Sequence, residues 1–320
     1  MEYRRLGRSG LKVSVLGLGG NNFGMNLGMA GMPVRADEAQ TARVIAQALE
    51  AGVNFFDTAN EYGDSESFIG RALKGKRHQV VVASKFGTPV GDGPNAQGAS
   101  RKHLMEQVER SLRRLQTDYI DLYQVHRPDP GTPIEETLRA LDDLVRQGKV
   151  RYIGCSNFQA WQLCEALWTS RAMNLNAFIS VQPEYNLLRR VVERDLLPCC
   201  RSYGIGVIPY WPLASGVLTG KYRAGEPPPT GSRMTVVAPQ ILSRVLSERR
   251  LLVVTALERF AQERGHTVGE LAIAWLAANP LVSTIIAGAT SPEQVAANAR
   301  AVDWKLTAAD LAEVDKISPA

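Results

Sequence analysis

Residues 119–157 read YIDLYQVHRPDPGTPIEETLRALDDLVRQGKVRYIGCSN. An apolar run at 120–125 leads through a loop carrying His126 into an amphipathic stretch over 133–147, and a second apolar run follows at 150–155. Pro133 stands at the first helical position, where a missing N–H costs nothing because helix starts leave their first donors unpaired. Strand, helix and strand in this order make one βαβ unit, which implies two parallel strands joined by a crossover helix.

The unit recurs in both directions. Further apolar runs at 15–18, 53–57, 80–85, 177–181, 206–210 and 284–287 bring the strands to eight, and helices are expected at 37–51, 65–73, 101–115, 159–170, 191–203, 268–278 and 292–298. Asp37 is placed to cap the first of them. Eight units in series predict an α/β protein with a (β/α)8 TIM barrel, one domain over 1–320, rather than an open doubly wound sheet with two halves and a crevice. Some segments fall outside the repeat: an N-terminal hairpin from 3–6 and 12–13, a first loop at 21–35 with three glycines and three methionines, and a loop at 211–239 holding Pro227, Pro228 and Pro229. An extra helix at 241–264 and a last one at 308–316 complete the chain. Both long loops follow strand C-termini, the active face of such barrels, and long loops without regular structure are usually functional.

Composition narrows the function. The hydrophobic share of 45% and charged share of 22% are ordinary globular values. The net charge of +5 is scattered rather than gathered into runs, which argues against nucleic acid as a partner. No stretch is long and apolar enough for a membrane span, and residues 1–10 have no apolar region that would make them a signal peptide, so a cytoplasmic protein is expected. Cys155, Cys164, Cys199 and Cys200 lack metal or disulfide spacing and are read as reduced thiols; the four histidines are spread along the chain, so no metal is expected. GRALKGKR at 70–77 imitates a phosphate-binding loop but lacks its final Ser or Thr and ends a helix, and GLGGNNFG at 17–24 lacks the third glycine of the dinucleotide fingerprint.

The strand ends carry the chemistry. FFDTANEYG ends the second strand with Asp57 and Tyr62, VVASKFG ends the third with Lys85, and DLYQVHRP ends the fourth with His126. A lysine after an apolar run needs a carboxylate partner, and Asp57 is the candidate. A nearby ammonium would lower the Tyr62 pKa from its usual value of about 10, which makes Tyr62 a proton donor, with His126 orienting a carbonyl oxygen. Side chains supply no hydride, so a nicotinamide cofactor is implied. Taken singly, Asp57 and Lys85 also fit a structural ion pair at a barrel rim, Tyr62 fits packing, and a hydrolase using Asp57 and Glu61 would leave Lys85 and Gln182 unexplained.

At these residues the chain resembles the aldo-keto reductase superfamily, over YRRLGRSGLKVSVLGLGG, FFDTANEYG, VVASKFG, YIDLYQVHRPD, GKVRYIGCSNF, VQPEYNLL, GVIPYWPLASGVLTGKY and IIAGATSPEQVAAN. The resemblance implies an NADP(H)-dependent reductase of aldehydes or ketones, reversible with alcohols, with a tetrad on Asp57, Tyr62, Lys85 and His126. It also implies that Ser156, Asn157 and Gln182 bind the nicotinamide carboxamide and that Tyr210 stacks on its ring. Trp211, Pro212, Leu213, Ala214 and Gly216 would embrace the pyrophosphate, with Lys221 and Arg233 adding positive charge. Gly20, Asn21, Gly288, Thr290, Gln294 and Asn298 complete the expected cofactor set, and Phe23 and Met25 are expected to line the substrate site with Tyr62 and His126.

Relatives often carry Arg or Lys in the turn where this chain has Thr290 and Ser291, so the preference for NADP(H) over NAD(H) rests on Lys221 and Arg233. The chain looks closer to bacterial reductases and potassium-channel β-subunits than to the aldose-reductase branch, and its short tail implies an open pocket. A cofactor-binding regulatory subunit is therefore the competing reading, since fold alone does not separate the two.

Overall fold

The computed structural model describes residues 1–24, 36–223, 225–230, 232–235 and 239–320. Eight parallel strands run in the order β10 (Ile285–Gly288), β3 (Leu16–Gly19), β4 (Phe55–Asp57), β5 (Val81–Phe86), β6 (Ile120–Val125), β7 (Val150–Ser156), β8 (Ser180–Gln182) and β9 (Gly206–Val207). The circle closes between β9 and β10 through Val207 paired with Val282 and Tyr210 with Ile286, the Ile286 N–H donating to Pro209 O at 2.9 Å. This is the expected (β/α)8 barrel. β9 is shorter than the expected 206–210 because Pro209 has no N–H to give the ladder.

Alternation along each strand sorts the side chains into two apolar layers. Phe56, Val82, Tyr123, Val125, Ile153 and Val181 face outward and pack under the helices in the larger core. Phe55, Val81, Ala83, Leu122, Ile208 and Ile286 face inward and fill the barrel. In a strand the side-chain period is two, so the next inward positions toward the C-terminal ends are Asp57, Lys85, Gln124 and Gln182. The apolar filling of the barrel thus passes into a polar layer at its mouth.

The floor is plugged by the hairpin of β1 (Tyr3–Arg5) and β2 (Lys12–Ser14), from which Leu6 and Val13 reach the inner cluster fully buried. Arg4 explains part of the basic N-terminus. Its guanidinium donates to the carbonyls of Ala277 at 2.8 Å and Val282 at 2.9 Å. It thereby pins the hairpin to the end of α9 (Val268–Ala278), where helix carbonyls lack partners of their own.

The helical layer contains α1 (Glu38–Glu50), α2 (Ser65–Ala72), α3 (Arg101–Leu115), α4 (Ile134–Arg146), α5 (Ala160–Ala172), α6 (Leu196–Tyr203), α7 (Pro239–Val245), α8 (Glu248–Gln262), α9, α10 (Pro292–Ala301) and α11 (Ala308–Ile317). Asp37 caps α1 as expected, its carboxylate accepting the Gln40 N–H at 2.8 Å. Several boundaries differ from expectation, and at three of them the departure is more than a shifted end. Pro133 is the cap of α4 with extended ψ, not its first residue. The stretch 191–203 begins as a short 3-10 turn, Val191–Glu193, and α6 starts only at Leu196, which keeps Pro198 in the first turn where its missing donor is harmless. The extra helix 241–264 is broken at Ser247, whose extended backbone (φ −60°, ψ 144°) separates α7 from α8.

The segment that imitates a phosphate-binding loop is the end of α2. Gly70 faces α3 so closely that a Cβ would collide with the backbone carbonyl of Leu115. Gly70→Ala is therefore expected to destabilise the protein by roughly 1–3 kcal/mol in urea unfolding, since neither backbone can yield. Gly10→Ala, where a Cβ meets nothing within 4 Å, is expected to be neutral and serves as the control.

Candidate active site

Parallel pairing brings the inward residues together. Asp57 at the end of β4 is in register with Ala83, and Lys85 on β5 with Gln124 on β6. The Lys85 side chain has no exposed surface and Asp57 is 2% exposed, so neither charge is solvated by water. Lys85 Nζ donates to Asp57 Oδ2 at 2.6 Å and to the Thr58 carbonyl at 3.0 Å. The other carboxylate oxygen, Oδ1, accepts from Gln182 Nε2 at 2.8 Å and from Gln124 Nε2 at 3.5 Å. A carboxylate so surrounded holds the buried ammonium in one place, which is the condition under which a buried ion pair is tolerated.

Tyr62 lies over this pair. Lys85 Nζ sits 5.1 Å from the centre of the Tyr62 ring, and the His126 ring meets the Tyr62 ring edge-on at 5.8 Å. The expected four residues are therefore brought to one mouth, but the tuning of Tyr62 differs from expectation. Its phenol is pushed well above its ordinary pKa, by burial first and then by the negative charges of Asp57 and Glu61. The Lys85 ammonium, bound to Asp57 Oδ2 and the Thr58 carbonyl, does not outweigh them. Tyr62 is thus held in its protonated form.

His126, just beyond β6, is nearly buried, and its imidazole pKa is pushed down to about 2, by burial first and then by the charges of Lys85 and Arg127. It is neutral. Glu61 Oε1, 3.3 Å from its Nδ1, is consequently a neighbour and not an ion-pair partner. The His126 Nδ1 and the side-chain Oε1 of Gln124 are among the buried atoms without a hydrogen-bond partner in the described residues. Gln124 was not singled out from the sequence, yet it stands two residues before His126 in an apolar run and so shares its inward parity; that alternation was the available signal.

Ser156, Asn157 and Gln182 form a network of their own. Ser156 Oγ donates to Gln182 O at 2.8 Å, and Asn157 Nδ2 donates to His126 O at 3.0 Å and to Ser156 Oγ at 3.1 Å. Tyr210 donates its hydroxyl to Asn157 Oδ1 at 2.8 Å. Asn157 adopts a left-handed backbone (φ 62°), which Asn tolerates better than most residues, and so ties the ends of β6, β7 and β8 to Tyr210. The expectation that these polar groups need a ligand to explain them is corrected here: they satisfy one another. A cofactor amide would meet their remaining acceptor capacity, chiefly the side-chain carbonyls of Gln182 and Asn157.

Beyond Tyr210 the chain enters a strained loop. Trp211 (φ 55°), Ala214 (φ 46°) and Ser215 (φ 58°) are all left-handed, each at a cost of about 1–3 kcal/mol, and Gly216 continues in the same region. Pro212, Val217 and Leu218 are buried and anchor it, Leu213 and Ala214 are half-buried, and Lys221 is exposed with its ammonium passing beside Gly216. Successive turns of this kind expose backbone N–H groups toward an anion, and the lysine adds charge, so this segment fits a pyrophosphate. Across the mouth, Gly288 ends β10, with Asn21 and Asn22 beside it. Gln294 Oε1 accepts the Thr290 N–H at 2.8 Å, and Asn298 follows one turn later on α10.

Other expected site residues fall elsewhere. Phe23 is fully buried in the outer core, because the bridge between Phe23 and Ala36 draws it toward the start of α1, so its ring does not line the mouth. Gly20 is held under Asp57 by its N–H bond to Asp57 O at 2.7 Å, with Ser65 closing the space where a Cβ would stand. Met25 lies outside the described residues, as does the side chain of Arg233. The four cysteines are unbonded, although Cys164 Sγ and Cys199 Sγ are 3.4 Å apart on neighbouring helices. No helix among the described residues is long and apolar enough to cross a membrane.

The model of the aldo/keto reductase family matches residues 15–319. The chain is 41% identical to a probable voltage-gated potassium channel subunit beta of Oryza sativa, over 95% of this chain and 92% of that one. It is 37% identical to an uncharacterized oxidoreductase of Bacillus subtilis, covering 100% and 96%, and 33% identical to the L-glyceraldehyde 3-phosphate reductase of Escherichia coli, covering 99% and 92%.

The buried pair makes its own prediction. Lys85→Met strands the Asp57 carboxylate and is expected to lower unfolding free energy by about 3–5 kcal/mol. The double variant Asp57→Leu with Lys85→Met is expected to recover much of that loss in chemical denaturation, because no uncompensated charge is left inside the barrel. A double variant as unstable as the sum of its singles would show that the two side chains act independently.

Proposed function

The chain belongs to the aldo/keto reductase family, and from that footing we propose that it is an NADP(H)-dependent oxidoreductase that reduces aldehydes or ketones to alcohols, with Tyr62 as the proton donor. The observation that carries this reading is the buried Lys85–Asp57 pair beneath the Tyr62 ring with a neutral His126 beside it. When bound, the cofactor would supply the hydride that no side chain supplies.

Each residue then has a task. Tyr62, held protonated, gives its phenolic proton to the substrate oxygen as negative charge develops there; an alkoxide is far more basic than a phenolate, so the transfer is favourable despite the raised pKa. The neutral His126 is able to donate a hydrogen bond to the same oxygen and orient it. Lys85 stabilises the phenolate left behind through its fixed positive charge, and Asp57, held by Gln182 and Gln124, keeps that charge in place. Tyr210, Asn157, Gln182, the 211–216 loop, Lys221, Arg233 and the start of α10 would hold the cofactor.

A second reading is favoured by the relatives named as potassium channel β subunits: an NADP(H)-binding regulatory subunit with little turnover. One assay separates them. NADPH oxidation followed at 340 nm with a panel of carbonyl compounds is expected to show turnover that Tyr62→Phe reduces by roughly a hundredfold or more. Turnover unaffected by the substitution would overturn the role of Tyr62, and tight cofactor binding with no turnover on any carbonyl would favour the regulatory reading.

The pH dependence follows from the shifts. Reduction needs the phenol protonated, and activity is lost only as pH rises through the raised Tyr62 pKa, while His126 stays neutral down to strongly acidic pH. The rate of reduction is therefore expected to be flat from about pH 6 to 9, and a limb within that window would contradict the assignment.

Cofactor preference has a separate check. At one salt concentration NADP⁺ is expected to bind at least about tenfold more tightly than NAD⁺, with Lys221→Ala narrowing the gap. Equal affinities would defeat the NADP(H) assignment.

A further inference from the structure

Beside the barrel mouth, between the segments that follow β5 and β6, lies a cleft of about 670 Å³. Its lining includes Glu61 and Arg127, the chain neighbours of Tyr62 and His126, so it lies beside the acid and the imidazole. Much of the remaining lining is polar, with Asn95, Gln97 and Thr132 among its side chains. A purely apolar substrate tail would leave such groups unpaired, whereas a hydroxylated or charged one satisfies them.

The charges in the cleft are arranged unequally. Asp129 is fully engaged, its oxygens accepting the Ala99 N–H at 2.7 Å, the Thr132 hydroxyl at 2.7 Å and the Gly131 N–H at 2.9 Å. Glu61 is turned to the imidazole, 3.3 Å from Nδ1. Arg127 is exposed and has no carboxylate or hydrogen-bond partner among the described residues, while Arg101 and Arg114 on α3 are paired with Asp143 and Glu66. The field of Arg127 also reaches the site, where it acts on Tyr62, His126 and Tyr210 together.

We propose that Arg127 selects carbonyl substrates that carry an anionic group, a phosphate or carboxylate, on a short polar chain, with the carbonyl at Tyr62 and His126 and the anion in the cleft. The substrate class named here rests on the reductase reading. The planar guanidinium offers two parallel donors to such a group, which a point charge does not. Glu61, one residue from the acid, repels an anion from the imidazole and so orients the charged end outward.

The test compares matched substrates, glyceraldehyde 3-phosphate against glyceraldehyde and succinic semialdehyde against butanal, in the wild type, Arg127→Gln and Arg127→Lys. The wild type is expected to prefer the charged member of each pair in kcat/KM. That ratio is expected to fall roughly ten- to hundredfold in Arg127→Gln, through KM, and by an intermediate amount in Arg127→Lys, which keeps the charge but loses the paired donors. No preference in the wild type, or a ratio unchanged in Arg127→Gln, overturns the proposal. Binding of glycerol 3-phosphate to the NADP⁺ complex, measured by calorimetry, does not depend on turnover. Binding about tenfold weaker in Arg127→Gln supports the anion site even if no carbonyl is reduced, a result that would sink the reductase reading alone; absent or equal binding overturns the site itself.

Discussion

Inside a barrel filled by Phe55, Val81, Ala83, Leu122, Ile208 and Ile286, the Asp57–Lys85 ion pair is the constraint to which the neighbouring polar groups answer. Neither charge reaches water, so each must be compensated by fixed groups. Thr58 supplies a carbonyl to the ammonium, and Gln182 and Gln124 supply amide donors to the carboxylate. Those three partners come from β6, β8 and the end of β4, which couples the pair to the ladder register. A slip of one residue in β5 would turn Lys85 toward the helices and Phe86 into the mouth.

The polar layer continues from that pair around the mouth. Gln182 is shared, donating its side chain to Asp57 and accepting through its backbone from Ser156 and Asn157. Asn157 passes the connection to Tyr210, and the strained loop starts immediately afterwards. The strain at Trp211, Ala214 and Ser215 is tolerated because buried anchors at Pro212, Val217 and Leu218 overdetermine the loop. The result is a preorganised rim in which the hydrogen bonds that satisfy these side chains also set the positions of the groups that would meet a cofactor.

Much of this was legible in the chain. The eight apolar runs became the eight strands, and α3 and α9 have the expected boundaries, because alternating apolar runs with turn and cap residues between them are local signals. The losses came where a distant partner decided the outcome. Phe23 sits in a loop by sequence but is drawn into the outer core by its pairing with Ala36. Gln124 passed unnoticed because nothing local shows that its amide reaches a carboxylate on another strand. Ser156, Asn157 and Gln182 pointed to a ligand when read one at a time and proved to be partners of each other.

By itself the sequence determined the order of strands and helices, hence the barrel, and which ionisable residues stand at the strand ends, since both follow from periodicity and position along the chain. Only the tertiary structure decided the electrostatic state of those residues. Lys85 was expected to lower the Tyr62 pKa, yet its charge is directed at Asp57, and burial with two nearby carboxylates drives the phenol the other way. The physical reason is that a pKa sums solvation and charge over every neighbour in space, and here those neighbours come from different strands.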